Sequence, residues 1–495
     1  MRPMECKRED EVHDAEEPAQ EVPEVSEVQI VVCLLSSRSV TITSSRDWPV
    51  KKLKAAAQKH FQAGLLRLFA AGVALEPNVC LRDVGLNDGD TVTAIAEPLR
   101  LAANPWGGEI AAFSASGVIT WGEPREGKAP EKLAISGVSQ IQTTARSFAA
   151  MLHDGSVASW GEADCTQVAH KLRDVSRIQA NHRAFAAILS DGTVVCWGSH
   201  EDGGDSSSLQ HQLTNVQQIQ ATSSAFAAIR GDGSVVCWGN PRNGGDSSAV
   251  QDQLKNVQQI QATSFSFAAI LGDGRVAVWG AEELGGDGPR VPSRLRQVGR
   301  IAASDAAFAA LRADGSVITW GAKSNGGDSS RVHDELHDVK QIVANSCAFA
   351  AIRADERVVT WGLGLRGGDS SAVQNQLQHV QQICANWCAF AAIVSGGQVV
   401  TWGHPDRGGD STHVQDKLKD VQWIQATRSA FAALANGSVV TWGDPNSGGD
   451  SSQVQEQLQN VVEIQASESA FAAILADGRV ISWGWRPDAS TCVEL

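Results

Sequence analysis

Seven Gly-Gly-Asp triplets, beginning at Gly203, Gly244, Gly285, Gly326, Gly367, Gly408 and Gly448, are the first residues whose type and recurrence could do chemistry. Their carboxylates could hold calcium, but calcium needs six to eight oxygens converging within one loop. The triplets stand 41 or 40 residues apart, so each Asp reads instead as a turn former that accepts backbone N–H bonds. Cys384 and Cys388 could be a redox or metal pair, yet no second Cys or His pair stands at zinc spacing, and both read as structural. The twelve His residues do not recur in register. No Ser-His-Asp or Cys-His set stands out, and no phosphate loop ends in Gly-Lys-Ser or Gly-Lys-Thr. The expectation is a protein that is not an enzyme and takes no cofactor or metal.

The elements that would position such residues come from a repeat. Trp-Gly recurs at Trp121, Trp160, Trp197, Trp238, Trp279, Trp320, Trp361, Trp402, Trp442 and Trp483, at intervals of 37 to 41 residues. Each copy predicts a hairpin, as in Phe226–Ile229 and Val235–Trp238 around Asp232-Gly233. Only Asp355-Glu356 departs clearly from the turn chemistry. A third strand, such as Val216–Ala221, precedes the hairpin, and its mixed polarity places it near a solvated rim. The recurrent Ala-Ala pair predicts an inner strand where sheets converge. Val235-Val236-Cys237-Trp238 is apolar at both parities, so both faces of the sheet must be covered. A small sheet covered on both sides by copies of itself is a propeller blade. After Gly-Gly-Asp, Ser247 and Ser248 are placed to cap a short helical turn. The residues that differ most between copies, Arg242, Asn243, Glu282, Glu283, Arg366 and Arg407 among them, follow each Trp-Gly. This loop rim is a candidate partner surface, with drift in unconstrained loops as the plainer explanation.

The sequence of Ile-x-Ala, Ala-x-Ala-Ala-Ile, Asp-Gly-x-Val-x-x-Trp-Gly and Gly-Gly-Asp resembles the repeat of the regulator of chromosome condensation family. In its short period it is similar to the bacterial beta-lactamase inhibitor protein of that superfamily. The resemblance covers residues 99–495 and implies a mainly β fold, a β-propeller of repeats of about 41 residues. Seven blades are usual in the family, whereas ten hairpin cores and seven Gly-Gly-Asp connectors are present here, which leaves seven to ten blades open. The family also contains a plant ultraviolet-B receptor with Gly-Trp-Arg-His-Thr motifs. Only Trp387 matches at those positions, and light sensing is disfavoured.

Residues 1–27 hold ten acidic and three basic side chains and predict an acidic, disordered tail. Residues 28–97 predict a hairpin, a helix with apolar positions Val50, Leu53, Ala57 and Phe61, and two further strands. That order resembles ubiquitin, which implies an α+β β-grasp domain. The positions that match the family's partner-binding patch are Leu35, Phe69 and Ile95. No terminal Gly-Gly follows Ile95, so the unit is expected to act as a fixed module.

A net charge of −15 disfavours direct nucleic-acid binding, and no apolar run is long enough to cross a bilayer. Cys196 and Cys237 occupy one repeat position and read as apolar fillers, in keeping with a reducing compartment. The expectation is a monomeric scaffold or adaptor, cytoplasmic or nuclear, that binds proteins, with ubiquitin receptors as one class of partner. The alternatives that the resemblance implies are nucleotide exchange on a Ran-like small GTPase and the substrate-binding part of a ubiquitin ligase.

Overall fold

The computed structural model describes residues 27–34, 38–61, 65–76, 78–97, 99–114, 117–122, 131–133, 135–286, 295–484 and 492–493. They form two compact units. One takes in the residues up to Phe61 and Leu66–Ala96, and the other runs from Glu97 onward.

In the first unit β1 (Glu27–Leu34), β2 (Ser39–Ser45), β3 (Leu65–Ala70), β4 (Val73–Ala74) and β5 (Thr91–Glu97) form one sheet in the order β2-β1-β5-β3-β4. β1 pairs antiparallel with β2 and parallel with β5. The helix α1 (Val50–Phe61) buries Val50, Leu53, Ala57 and Phe61, one stripe at helical spacing. The sheet supplies Val28, Ile30, Val32, Leu66, Leu68, Val92 and Ala94 to the core, alternate residues as a one-faced sheet requires.

The second unit contains ten antiparallel sheets in chain order, eight of three strands and the first and last of four. In repeat 4 the strands are Val216–Ala221, Ala225–Arg230 and Val235–Gly239. Phe226 lies opposite Trp238, and the rings stack with centroids 5.3 Å apart. The Phe of repeats 3 to 10 is 0% exposed. Sheets pack face to face: Ala225, Ala227, Ile229 and Val235 of repeat 4 share one apolar cluster with Ile260, Phe267, Ala269 and Trp279 of repeat 5. The same relation joins the far ends of the series, where Leu99, Leu101, Ile110 and Ala112 of repeat 1 cluster with Ala470, Ala472, Ile474 and Val480 of repeat 10. This is a mainly β, propeller-like repeat fold.

Two sequence expectations are corrected. The first strand of each sheet contacts the first strands of both neighbouring sheets, so the mixed polar strand lies where the repeats converge, and the Ala pair belongs to the buried middle strand. A polar strand is solvated on an inner wall as well as on an outer rim. The connector turn is capped by Asp rather than Ser. Ser248 N donates to Asp246 Oδ1 at 2.9 Å, while Ser247 makes no side-chain cap. Asp205, Asp328, Asp369, Asp410 and Asp450 cap in the same way. The backbone N–H two residues on holds the carboxyls of Asp205, Asp246, Asp328, Asp369 and Asp410 below the ordinary carboxylate value.

The hairpin turns follow the dipeptides. Gly233 takes a φ of +75°, and Glu356 adopts +63° where the Gly is missing. In repeat 9, Asn436 and Gly437 both have positive φ and close a two-residue hairpin. That loop is one residue shorter than its counterparts, which accounts for the single 40-residue interval after repeat 3.

Each Gly-Gly-Asp connector locks onto the next sheet. Trp238 Nε1 donates to Gly203 O at 3.0 Å, and Trp279, Trp320, Trp361, Trp402, Trp442 and Trp483 repeat the bond. The connectors before Trp160 and Trp197 lack the triplet. Trp121, Trp160 and Trp197 have buried indole N–H groups without a partner among the described residues. Trp238→Phe is therefore expected to destabilise by about 1–2 kcal/mol more than Trp197→Phe, because only the first strands a buried carbonyl. Urea unfolding of the two variants followed by tryptophan fluorescence measures the difference.

Candidate functional site

The turn between the first and second strands begins with Thr, Asn or Ser in every described repeat, and this residue is buried, as at Asn181, Thr222, Asn345 and Asn386. Its side-chain oxygen accepts the N–H three residues on, as Ala225 N to Thr222 Oγ1 (3.0 Å) and Ala389 N to Asn386 Oδ1 (2.7 Å). Its other bond ties down the loop after Trp-Gly: Thr222 Oγ1 donates to Asn243 O, Asn345 Nδ2 to Arg366 O and Asn386 Nδ2 to Arg407 O. The turns and the rim loops therefore share one end of the repeats.

The second turn residue links one repeat to the next through the backbone. Ala145 N donates to His182 O, His182 N to Ser223 O, Ser223 N to Ser264 O, Ser264 N to Asp305 O and Asp305 N to Ser346 O, at 3.0 to 3.2 Å. Ser346 Oγ then donates to Trp387 O at 2.7 Å. Trp387 N donates to Arg428 O, Arg428 N to Glu468 O, and Glu468 N reaches Asn104 O and Gly107 O in repeat 1. The backbone carries all of these bonds except the one from Ser346 Oγ, so at the other repeats the side chain at this position can differ, and it does.

Those side chains make two groups. Arg428 stacks its guanidinium 3.3 Å from the centroid of the Trp387 ring and pairs with Glu468. Trp106, in the turn of repeat 1 and 43% exposed, meets His182 of repeat 3 edge-on at 5.1 Å. Burial lowers the His182 ring from its ordinary value, with the Arg183 charge acting in the same direction. Burial raises the Asp305 carboxyl, and the charges of Arg366 and Arg428 oppose that rise. An acid whose folded value is raised is destabilised when ionised, so Asp305 weakens the fold above the ordinary carboxylate range and not below it. Asp305→Asn is expected to raise the melting temperature at pH 7, with a gain that shrinks as pH falls through about 4. Melting curves of the two proteins across that range test the sign.

Of the rim residues proposed from sequence, the structure brings three to these turns. Arg366 Nη1 donates to Ser346 Oγ (3.0 Å), Arg407 Nη1 to Ser429 Oγ (2.7 Å) and Asn243 Nδ2 to Ser224 Oγ (2.6 Å). Arg242, Glu282 and Glu283 stay exposed in their loops. In the first unit, Phe69 and Ile95 are half-buried on the sheet face opposite Leu68 and Ala94, and Leu35 lies outside the described residues. Sequence reasoning missed Trp106, His182, Asp305, Arg428 and Glu468. The available signal was one variable residue after an invariant Thr, Asn or Ser class.

Neither a protein-family model nor a curated protein matches the chain. Among solved structures, yeast RCC1 (Prp20) bound to Kap60 is 16% identical, covering 53% of this chain and 80% of that one at a TM-score of 0.33. The computationally designed Ika8 protein is 14% identical, covering 62% and 96% at 0.31. The UBL domain of Plasmodium falciparum Dsk2 is 20% identical, covering 14% and 99% at 0.13. At such TM-scores none of these likenesses decides the fold, which rests on the sheets, registers and buried clusters described above.

Proposed function

We propose that this chain is a non-catalytic protein-binding platform in which ten repeats close into one ring and a ubiquitin-like module precedes them in the sequence. The observation that carries the reading is the series of linked turns, which fixes the main chain while the side chain at one position varies from repeat to repeat. Trp and Arg, residue types enriched among those that carry binding energy at interfaces, stand at that position as Trp387 and Arg428, and Trp106 lies in the turn of repeat 1. Ten blades exceed the usual four to eight, and the shared cluster of repeats 1 and 10 supports closure at that number. In this reading the thiols and connector carboxylates singled out in the sequence are structural. Burial pushes the thiols of Cys196, Cys237 and Cys384 up to about 12, far from thiolates at neutral pH, and the connector Asp residues cap turns.

A photo-crosslinking residue at position 106 or 387 of the full chain tests the reading. Discrete protein adducts from these positions, with none from position 232 in the hairpin turn, are the expected result. Equal labelling from both would remove it. For the first module, Phe69→Ala with Ile95→Ala is expected to abolish capture by ubiquitin-binding domains, and a wild-type chain that captures none removes that half.

A further inference from the structure

We infer that repeats 7 to 9 receive an extended peptide segment in which carboxylates stand beside apolar side chains. The inference rests on the platform reading and adds the partner's chemistry. The residue before each Gly-Gly is Asp202, Asn243, Leu284, Asn325, Arg366, Arg407 or Ser447, so Arg occurs only in two adjacent repeats. Trp387 and Arg428, the only Trp and Arg at the second turn position of repeats 2 to 10, are adjacent too and in the same sector. Unconstrained drift would scatter such changes around the series, whereas a contact surface gathers them.

Arg366 and Arg407 are each steadied by a hydroxyl, Ser346 and Ser429, and neither meets a carboxylate within 4.0 Å among the described residues. A guanidinium has five N–H donors in a planar fork that matches a carboxylate with two bonds. The remaining donors of these two groups suit acidic side chains about one repeat apart. In the loop that carries Arg366, Leu363 and Leu365 are 42% and 64% exposed, among the few large apolar side chains left to solvent. A leucine pair next to two arginines calls for an apolar residue flanked by Asp or Glu. Trp387, half-buried under Arg428, offers a further apolar edge.

The test uses the full chain and two fluorescein-labelled ten-residue peptide pools, one alternating Glu with Leu and one alternating Lys with Leu. Anisotropy is expected to rise with the Glu pool only and to fall with added salt. The double variant Arg366→Gln/Arg407→Gln should weaken binding by roughly tenfold or more. Leu365→Ser should also weaken it, and Arg275→Gln, exposed in the hairpin turn of repeat 5, should leave it unchanged. Melting temperatures of all variants are read alongside, and Arg366→Lys/Arg407→Lys, which keeps the charge, serves if the Gln pair fails to fold.

Equal binding of the two pools, or undiminished binding by a folded Arg variant, overturns the inference. Displacement by 10 mM inorganic phosphate, with ionic strength matched by sodium chloride in the control, assigns the arginines to phosphate and also overturns it. Loss of the peptide signal through self-association, read by sedimentation, assigns the sector to a second copy instead. Discrete crosslinks at 106 or 387 without binding of the Glu pool would leave the platform reading standing and remove only this partner chemistry.

Discussion

Gly245→Ala is expected to destabilise the repeat unit by about 2–4 kcal/mol, whereas Gly364→Ala should change stability by no more than about 0.5 kcal/mol. Both residues lie in connectors, and the difference is what a new Cβ would meet. At Gly245 it would stand 2.4 Å from Gly239 O and 2.6 Å from Gly239 C, both backbone atoms that cannot swing away. Gly239 is itself pinned at the end of a strand, opposite Ala225. At Gly364 the nearest atom is Asp369 Cβ at 3.6 Å, an ordinary contact. The same geometry recurs at Gly204, Gly286, Gly327, Gly368, Gly409 and Gly449, so any of them can stand in for Gly245. Urea midpoints of the matched pair, followed by tryptophan fluorescence, decide the point; equal midpoints would mean that the connector can move off the strand end.

Phe267→Ala is expected to cost about 3–5 kcal/mol. Its ring is 0% exposed and stacks on Trp279 with centroids 5.2 Å apart. The connector from the preceding repeat lies across it, since a Cβ on Gly244 would fall 2.5 Å from Phe267 Cδ2. Removing the ring therefore takes away the floor of the connector as well as filling atoms, and collapse is opposed by Gly244, already held at a φ of +97°. Trp279 also loses its stacking partner, which should shift its emission in the folded protein. A cost below 1 kcal/mol would show that the sheet and connector close over the gap.

The repeat, its hairpin turns and its two-sided apolar strands were legible because each depends on neighbours within about twenty residues. Asp232-Gly233 and the connector Asp residues that accept backbone N–H bonds are local chemistry, whereas the stacking of Phe on Trp was not read from the sequence. The helix at Val50–Phe61 was equally plain from one apolar stripe. Which strand faces inward was not legible, since Gln217, Gln220 and Gln261 are solvated wherever water reaches them. Nor was the grouping of turn residues. Arg428 and Glu468 meet across successive repeats, a spacing visible in the sequence, whereas Trp106 of repeat 1 meets His182 of repeat 3 across the intervening repeat. That depends on the geometry of three consecutive turns rather than on any motif.

The bond from Glu468 N to Asn104 O and Gly107 O joins the first repeat to the last. During synthesis the greasy side of repeat 1, formed by Leu99, Leu101, Ile110 and Ala112, must wait bare until the strand at Ala470 emerges from the ribosome. Translation at 5–20 residues per second makes that delay tens of seconds. For that interval the nascent chain is an attractive client for a chaperone, and a stalled or truncated product would remain one.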